Sequence, residues 1–306
     1  ALTFAGAADV TLPAGAEYWS DPLPMAVPAQ ANLTVSMHFE TAPAQQTSHP
    51  GSRATSFYVH GDQVSAADLP GAKTVEHWFN LSGVDVAAGP ASSAVITLGD
   101  SITDGHGATT NGDDRWPDVL ARRLLASAAT RGVGVLNAGI GGNRVLLDGT
   151  GPNAMSRLDR DMLAQSRARS LILLEGVNDL GVLTRDAPAS PQEHDALVRR
   201  MLGAYAQIVA TAHAHGVRAI GATILPYGGS QYYHPNAANE ADRQRINAWI
   251  RAPGHFDAVV DFDAVTRDPA HPNRLQAAFD SGDGLHPSPK GYRAMADAIP
   301  LSLFAR

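Results

Sequence analysis

Residues 94–105 read Ala-Val-Ile-Thr-Leu-Gly-Asp-Ser-Ile-Thr-Asp-Gly, a short apolar run followed by a polar segment between two glycines. The run at 94–98 predicts a buried β-strand, because it is mostly apolar and too short for a helix. Stretches with helical spacing separate it from later runs, and such alternation predicts an open parallel sheet with helices on both faces. Four further strands are predicted at 133–137, 171–174, 217–224 and 258–262.

The stretches between the predicted strands carry apolar residues on one helical face. Trp116, Leu120 and Leu124 recur every four residues, behind the cap candidates Asp113 and Asp114. The same spacing predicts further helices over 197–212, 243–250 and 292–299.

Composition excludes several classes of protein. The chain has 306 residues, 44% of them apolar, so a sizeable core is expected and global disorder is not. A net charge of −7 without basic runs is a poor match for nucleic acid or anionic membranes, and no apolar run approaches the roughly 18 residues of a transmembrane segment. Cysteine is absent, which excludes disulfides and thiolate catalysis. The chain starts at Ala1 without a signal-peptide pattern, and we expect a processed, exported protein, secreted or periplasmic.

The composition changes near residue 90. Residues 1–90 contain 2 Lys/Arg and 8 Asp/Glu, whereas residues 91–306 contain 21 and 22. Apolar residues alternate through 33–40, which predicts a half-buried strand. We therefore expect a small antiparallel β-sandwich or jelly-roll domain at 1–90 and an α/β domain at 91–306. The first part contains the aromatic residues Trp19, Tyr58, Trp78 and Phe79. We expect them to pack in its core, and a platform that stacks against sugar rings is the alternative.

Four features of the second part favour acyl-transfer chemistry. Three follow predicted strands directly, and ligands bind beyond the carboxyl ends of strands in open α/β sheets. Ser101 in the turn at 99–105 is the candidate nucleophile, and the backbone N–H of Gly142 and the side-chain amide of Asn178 are candidate oxyanion donors. Asp283 and His286 are three residues apart, close enough for the carboxylate to orient the imidazole as a base. Taken singly, each feature could also be an ordinary turn, loop or helix cap.

Other polar residues near these features are candidates for substrate binding. Asp100 flanks the nucleophile, where support of the turn is the expected role. Asn143 and Arg144 follow Gly142 and could instead be structural. Tyr227 and His234 lie in the loop after Pro226, which could wall the pocket, act as a lid or simply pack. We expect no metal and no cofactor, because acyl transfer by these groups requires neither.

The four segments resemble known sequence blocks. Residues 99–105, 139–143, 176–179 and 283–288 read GDSITDG, GIGGN, GVND and DGLHPS, and together they resemble the blocks of the SGNH (GDSL-type) hydrolase superfamily over about 93–306. The resemblance implies a flavodoxin-like, three-layer α/β/α fold with a doubly wound parallel sheet. It also implies Ser101 as nucleophile, His286 and Asp283 as its partners, and an oxyanion hole of Ser101 N–H, Gly142 N–H and Asn178. Gly141 stands where a small polar residue is more usual, which leaves the donor unaffected. No Gly-x-Ser-x-Gly elbow is present, which argues against the ordinary α/β-hydrolase fold.

The resemblance favours a serine esterase. An N-terminal β module before such a domain resembles the arrangement in some bacterial carbohydrate esterases. We therefore expect hydrolysis of short-chain esters, with O-acetyl groups on a carbohydrate as the preferred substrate, small or polymeric. A broad aryl or alkyl esterase or a lipase is the enzymatic alternative, and a catalytically inactive carbohydrate-binding protein is the remote one.

Overall fold

The computed structural model describes residues 1–13, 15–41 and 44–305. The chain forms two compact units, one of Ala1–Pro50 with Ala54–Ala87, the other of Gly51–Arg53 with Ala88–Arg306. The short segment Gly51–Arg53 thus belongs to the larger unit, although it lies in the sequence of the smaller one. The domain boundary near residue 90 stays a prediction.

The smaller unit contains two separate two-stranded antiparallel sheets. Strand β1 (Ser48–His49) pairs with β4 (Trp78–Phe79), and β2 (Ser56–Tyr58) pairs with β3 (Lys73–Val75). The expected antiparallel pairing is therefore present, but the described residues of this unit form no packed sandwich or jelly roll.

Two expectations for the smaller unit were wrong. Residues 33–40 contain no strand, because alternation alone cannot form one without a partner to satisfy its backbone groups, and the apolar Leu33 and Phe39 stay exposed. Core packing of the aromatic residues was also wrong for Trp19, which is 66% exposed, and for Tyr58 and Trp78.

The larger unit is built on a five-stranded parallel sheet in the order β6-β5-β7-β8-β9. All five strands were predicted, and the fold class is confirmed. The central strand β5 is buried on both faces, as parallel sheets covered by helices require. The strand bounds are Ser93–Gly99 for β5, Val133–Gly139 for β6, Ala168–Leu174 for β7, Arg218–Ala222 for β8 and Ala258–Val260 for β9.

Helices cover this sheet and begin at recognisable caps. Ser190 accepts a hydrogen bond from the Glu193 N–H at the start of α4, and Ser288 with Pro289 begins α7. Arg115, not Asp113 or Asp114, is the N-cap of α2. The helix bounds are Ser101–Asp104 (α1), Trp116–Ala126 (α2), Val177–Arg185 (α3), Pro191–Ala214 (α4), Ala237–Arg251 (α5), Phe262–Thr266 (α6) and Pro289–Asp297 (α7), with short 3₁₀ or π turns at Ala154–Arg157, Asp159–Leu163 and Leu301–Leu303.

The register of the sheet brings the sequence blocks to one edge. Gly99, the last residue of β5, pairs with Gly139 of β6 and with Leu174 of β7. The segments after these three strands therefore start at the same carboxyl edge of the sheet. Over the described parts of the chain, no helix has both the length and the apolar character needed to cross a membrane.

Candidate active site

The turn after β5 presents Ser101 at the start of a four-residue helix. A Cβ at Gly99 would overlap Thr103 and the Leu174 carbonyl, so the turn requires glycine there. The Asp100 carboxylate accepts a hydrogen bond from the Ile102 N–H at 2.9 Å and caps α1. Ser101 is largely buried, with 8% of the residue exposed.

The loop before α7 holds a carboxylate against an imidazole. Asp283 Oδ2 lies 2.6 Å from His286 Nδ1, and Asp283 Oδ1 accepts hydrogen bonds from the backbone N–H groups of Leu285 and His286. Burial opposes the charge of Asp283, but these hydrogen bonds and the His286 ring outweigh it and lower the pKa of the Asp283 carboxyl. Asp283 is therefore a carboxylate at neutral pH, oriented toward the ring.

The two segments meet at Ser101 and His286. Ser101 Oγ lies 2.8 Å from His286 Nε2, across 185 residues of sequence. Because the Asp283 carboxylate only accepts, the ring proton is on Nδ1 and the Nε2 lone pair faces the hydroxyl. Hydroxyl, imidazole and carboxylate thus form one continuous chain of two hydrogen bonds.

Asn178 is held in one amide orientation beside the glycine-rich segment. Its Nδ2 donates to the Asn143 carbonyl at 2.7 Å, and its Oδ1 lies 2.6 Å from the Tyr233 hydroxyl. A carbonyl only accepts, so the contact with Asn143 fixes which end of the amide carries the nitrogen. Gly142 precedes Asn143, is exposed and has a φ of +73°. The exposed backbone at Gly142 leaves room for an approaching ligand, and Asn178 keeps one further N–H to donate.

The family model that describes GDSL-like lipases and acylhydrolases matches residues 97–294, more than half of the chain. The chain belongs to this family. The predicted resemblance is thereby confirmed, and the protein is a carboxylic ester hydrolase. None of the curated proteins is significantly similar to this sequence.

Two solved structures are similar to the hydrolase in fold. One is a candidate lipolytic protein of the G-D-S-L family from Desulfitobacterium hafniense DCB-2, 21% identical, with a TM-score of 0.50 over 68% of this chain and 97% of that one. The other is a variant of an acetyl xylan esterase from Geobacillus stearothermophilus, 20% identical, with a TM-score of 0.50 over 68% of this chain and 93% of that one.

A buried arginine that the sequence did not single out ties the blocks of the hydrolase together. Arg157 donates to the carbonyls of Gly99 at 3.0 Å and Ala138 at 2.6 Å, and to the side chain of Asn143 at 2.8 Å. It also pairs with Asp161 at 2.7 Å. Arg157 therefore connects the ends of β5 and β6 with the segment that follows Gly142.

The residues proposed for substrate contact differ in how exposed they are. Asn143 is buried and bonded to Arg157, and Asp100 is buried as the cap of α1. Arg144 donates to the Asp148 carbonyl. Tyr227 is 1% exposed in the core, which removes it from contact with solvent, whereas His234 is exposed.

The loop after Pro226 reaches the site through a different tyrosine. Tyr233 bonds to Asn178, and the Gln231 N–H donates to the Asp283 carbonyl at 3.3 Å. The same loop packs closely against Gly284, where a Cβ would overlap Gly229. The loop is thus bonded on both sides of the site.

Three acidic groups are buried near the turn that carries Ser101. Burial raises the pKa of Asp100 to about 7 and that of Asp179 to about 6. Asp179 accepts hydrogen bonds from the backbone N–H groups of Val145 and Leu146, which anchors the segment after Gly142. Burial, and then the nearby Asp100, raises the pKa of Glu175 well above its usual range. Neither carboxyl oxygen of Glu175 has a hydrogen-bond partner among the described residues, so the protonated form is favoured at this position.

Proposed function

We propose that the hydrolase is a serine esterase that removes short acyl groups through a covalent acyl-enzyme. One observation supports this above all others, the 2.8 Å contact between Ser101 Oγ and His286 Nε2, with Asp283 behind the ring. A hydroxyl is a weak nucleophile until an adjacent base removes its proton, and this contact supplies that base.

In the first half of the proposed reaction, Ser101 Oγ bonds to the ester carbonyl carbon while His286 Nε2 takes the hydroxyl proton. The resulting oxyanion accepts hydrogen bonds from the backbone N–H groups of Ser101 and Gly142 and from the Asn178 amide. The bond to the alcohol oxygen then breaks, and His286 returns its proton to the leaving alkoxide.

In the second half, water replaces the alcohol. His286 takes a proton from the water as its oxygen bonds to the acyl carbon. The second tetrahedral state then collapses, the bond between Ser101 Oγ and the acyl carbon breaks, and His286 returns the proton to Ser101 Oγ as the acid is released. A positioned base contributes about 10²–10⁴ in rate and one oxyanion donor about 10²–10³, so the proposed groups suffice for an ordinary enzymatic rate.

The proposed substrate is an O-acetyl group on a carbohydrate. One structure of similar fold is of an acetyl xylan esterase, and the smaller unit exposes the aromatic side chains of Trp19, Tyr58 and Trp78. Exposed aromatic rings stack on sugar faces, which gives the smaller unit a proposed role in holding the polymer. We further propose that residues 1–90 form a separate domain, and limited proteolysis near residue 90 tests this. The protein is also proposed to act in the periplasm or outside the cell, and fractionation of the producing cells tests this location.

The Ser101→Ala variant tests the mechanism. It should keep the fold and lose nearly all turnover of p-nitrophenyl acetate, as well as labelling by a fluorophosphonate probe. Wild-type turnover in S101A would overturn the proposal. A wild-type protein that neither reacts with the probe nor hydrolyses any ester would instead favour the non-catalytic carbohydrate-binding alternative.

A panel of substrates tests the specificity. Acetyl release from acetylated xylan or pectin, with turnover falling as the acyl chain of p-nitrophenyl esters lengthens, is the expected result. A preference for long acyl chains would favour a lipase. Equal turnover of the different acetyl esters, without any acetyl release from polysaccharide, would favour a broad aryl or alkyl esterase.

A further inference from the structure

A second histidine lies against the proposed base. The rings of His106 and His286 are 4.0 Å apart between centroids, at 40° to each other. The His106 N–H donates to the Ser101 carbonyl at 2.9 Å, and its own carbonyl accepts from the Tyr292 hydroxyl at 2.6 Å. The backbone of His106 is therefore fixed to the nucleophile turn, and its half-exposed side chain forms a wall beside His286.

Arg53 determines which nitrogen of His106 carries the proton. Arg53 Nη2 lies 3.2 Å from His106 Nδ1. A guanidinium has donors only, so Nδ1 must present its lone pair, and neutral His106 carries its proton on Nε2. This tautomer is unsuitable for a divalent cation between His106, Asp283 and His286, because such an ion requires the Nε2 lone pair. We therefore assign no metal to these three side chains, although their ligand atoms lie within 4.8 Å of one another.

Arg53 adopts an unfavourable backbone conformation, and contacts of the neighbouring backbone hold it there. Its φ is +49°, a left-handed value that non-glycine residues rarely adopt, and its carbonyl accepts from the Asn111 N–H at 2.8 Å. The neighbouring Ser52 carbonyl accepts from Arg115, and a Cβ at Gly51 would overlap the Asp104 carboxylate. Arg53 Nε is buried without a hydrogen-bond partner among the described residues. Strain and an unsatisfied donor at one residue are typical of functional positions.

The charge of His106 matters because of what its ring faces. His106 Nε2 is 3.9 Å from Asp283 Oδ2, the same oxygen that bonds to His286 at 2.6 Å. A protonated His106 would form an ion pair with Asp283 in competition with His286. It would also place a positive charge beside the imidazolium that forms on His286 during the reaction. The other charged groups near this pair are Arg53 and Asp104, which act on His106, and Asp100, which interacts with His286.

We infer that Arg53 is a positioning residue that keeps His106 neutral, so that Asp283 remains bound to His286 alone. The inference rests on the proposed Ser101–His286–Asp283 mechanism and adds a residue from the segment Gly51–Arg53 to it. In agreement, burial, followed by His286 and Arg53, lowers the pKa of His106. Arg53 thus extends the acid side of the pH range in which the esterase works.

The test compares pH profiles of kcat for p-nitrophenyl acetate in R53M, R53K, H106N and the double variant R53M/H106N. R53M removes the charge and the donor, R53K keeps both, and Asn at 106 accepts a hydrogen bond without taking a proton. The matched control is R200M, which makes the same substitution at an exposed position of α4. Active sites are counted with a fluorophosphonate, and thermal unfolding is recorded for each variant.

In R53M the fall of kcat on the acid side should move to higher pH by about one unit, which lowers kcat about tenfold below that point because protonation changes tenfold per pH unit. KM should change little. R53K and R200M should follow the wild-type profile, and R53M/H106N should follow H106N. Because each profile is a ratio of rates within one preparation, a lower yield of folded R53M does not affect the comparison.

An R53M profile that coincides with the wild-type profile would overturn the inference. So would an acid-side shift between H106N and R53M/H106N that is as large as the shift between wild type and R53M. Either result would leave the proposed function intact if S101A is inactive. Loss of the proposed function itself would appear separately, as turnover that survives in S101A.

Discussion

Replacing Asn178 by alanine removes one proposed oxyanion donor and two observed contacts. We expect kcat to fall about 10²–10³-fold, the usual effect of one such donor, with KM nearly unchanged because the donor acts on charge that develops only in the transition state. The substitution also leaves the Asn143 carbonyl and the Tyr233 hydroxyl without their 2.7 Å and 2.6 Å partners. Each unsatisfied buried group costs about 1–3 kcal/mol of unfolding free energy.

The matched variant is Tyr233→Phe. It removes the partner of Asn178 Oδ1 but keeps the amide donor and its bond to Asn143. Because one neutral hydrogen bond is worth about 1 kcal/mol, kcat should fall only about fivefold. Steady-state kinetics with p-nitrophenyl acetate at pH 8, with active sites counted by a fluorophosphonate, separates the two variants.

The reasoning would be refuted if N178A, shown to be folded by its thermal unfolding transition, kept kcat within about threefold of the wild type. A donor to the oxyanion changes kcat by far more than that. Equal losses in N178A and Y233F would indicate that the effect of N178A comes from losing the contact between Asn178 and Tyr233, not from losing a donor to the oxyanion.

Two further predictions concern stability. Arg157→Met should lower the unfolding free energy by about 3–5 kcal/mol, the usual effect of removing one partner of a buried ion pair, because Asp161 and the carbonyls of Gly99 and Ala138 lose their donor. Denaturant unfolding measures this loss, and a loss below about 1 kcal/mol would contradict the anchoring role. Glu175→Gln should stabilise the protein increasingly as pH rises. The pKa of Glu175 is raised in the folded state, so the stability that its protonated form contributes is fully present below the pKa of the unfolded state and is lost as pH rises through the pKa of the folded state. Glutamine does not titrate, so the variant does not lose this stability. The Tm difference between E175Q and wild type at pH 5 and pH 8 checks this, and a difference that does not grow with pH would refute it.

The sheet and the long helices could be predicted because their signals are local. The five strands are short apolar runs, and α2, α4, α5 and α7 are long enough for an apolar stripe to recur. The helices α1 and α6 have four and five residues, too few for any period to appear. In the smaller unit, the alternation at 33–40 predicted a strand whose formation depends on a partner elsewhere in the chain.

The candidate site was predictable only in part. Ser101, Asp283 and His286 lie in recognisable blocks, and the structure brings their side chains within hydrogen-bond distance. Arg157 has no local signal, because its partners lie at least fourteen residues away for all but Asp161. The choice of Tyr227 over Tyr233 could not be settled from sequence, since both rings are buried and the fold of the loop decides which of them reaches Asn178.

The wide sequence separation of Ser101 and His286 has a practical consequence. The exposed connection between α3 and α4, at 186–188, lies between them in the chain. Cutting there places Ser101, the proposed nucleophile, on one fragment and His286, its proposed base, on the other, so under the proposed mechanism neither piece alone can complete a turnover. Ester cleavage by the mixed fragments would then report their reassembly, which makes this chain a starting point for a split reporter with a colorimetric signal.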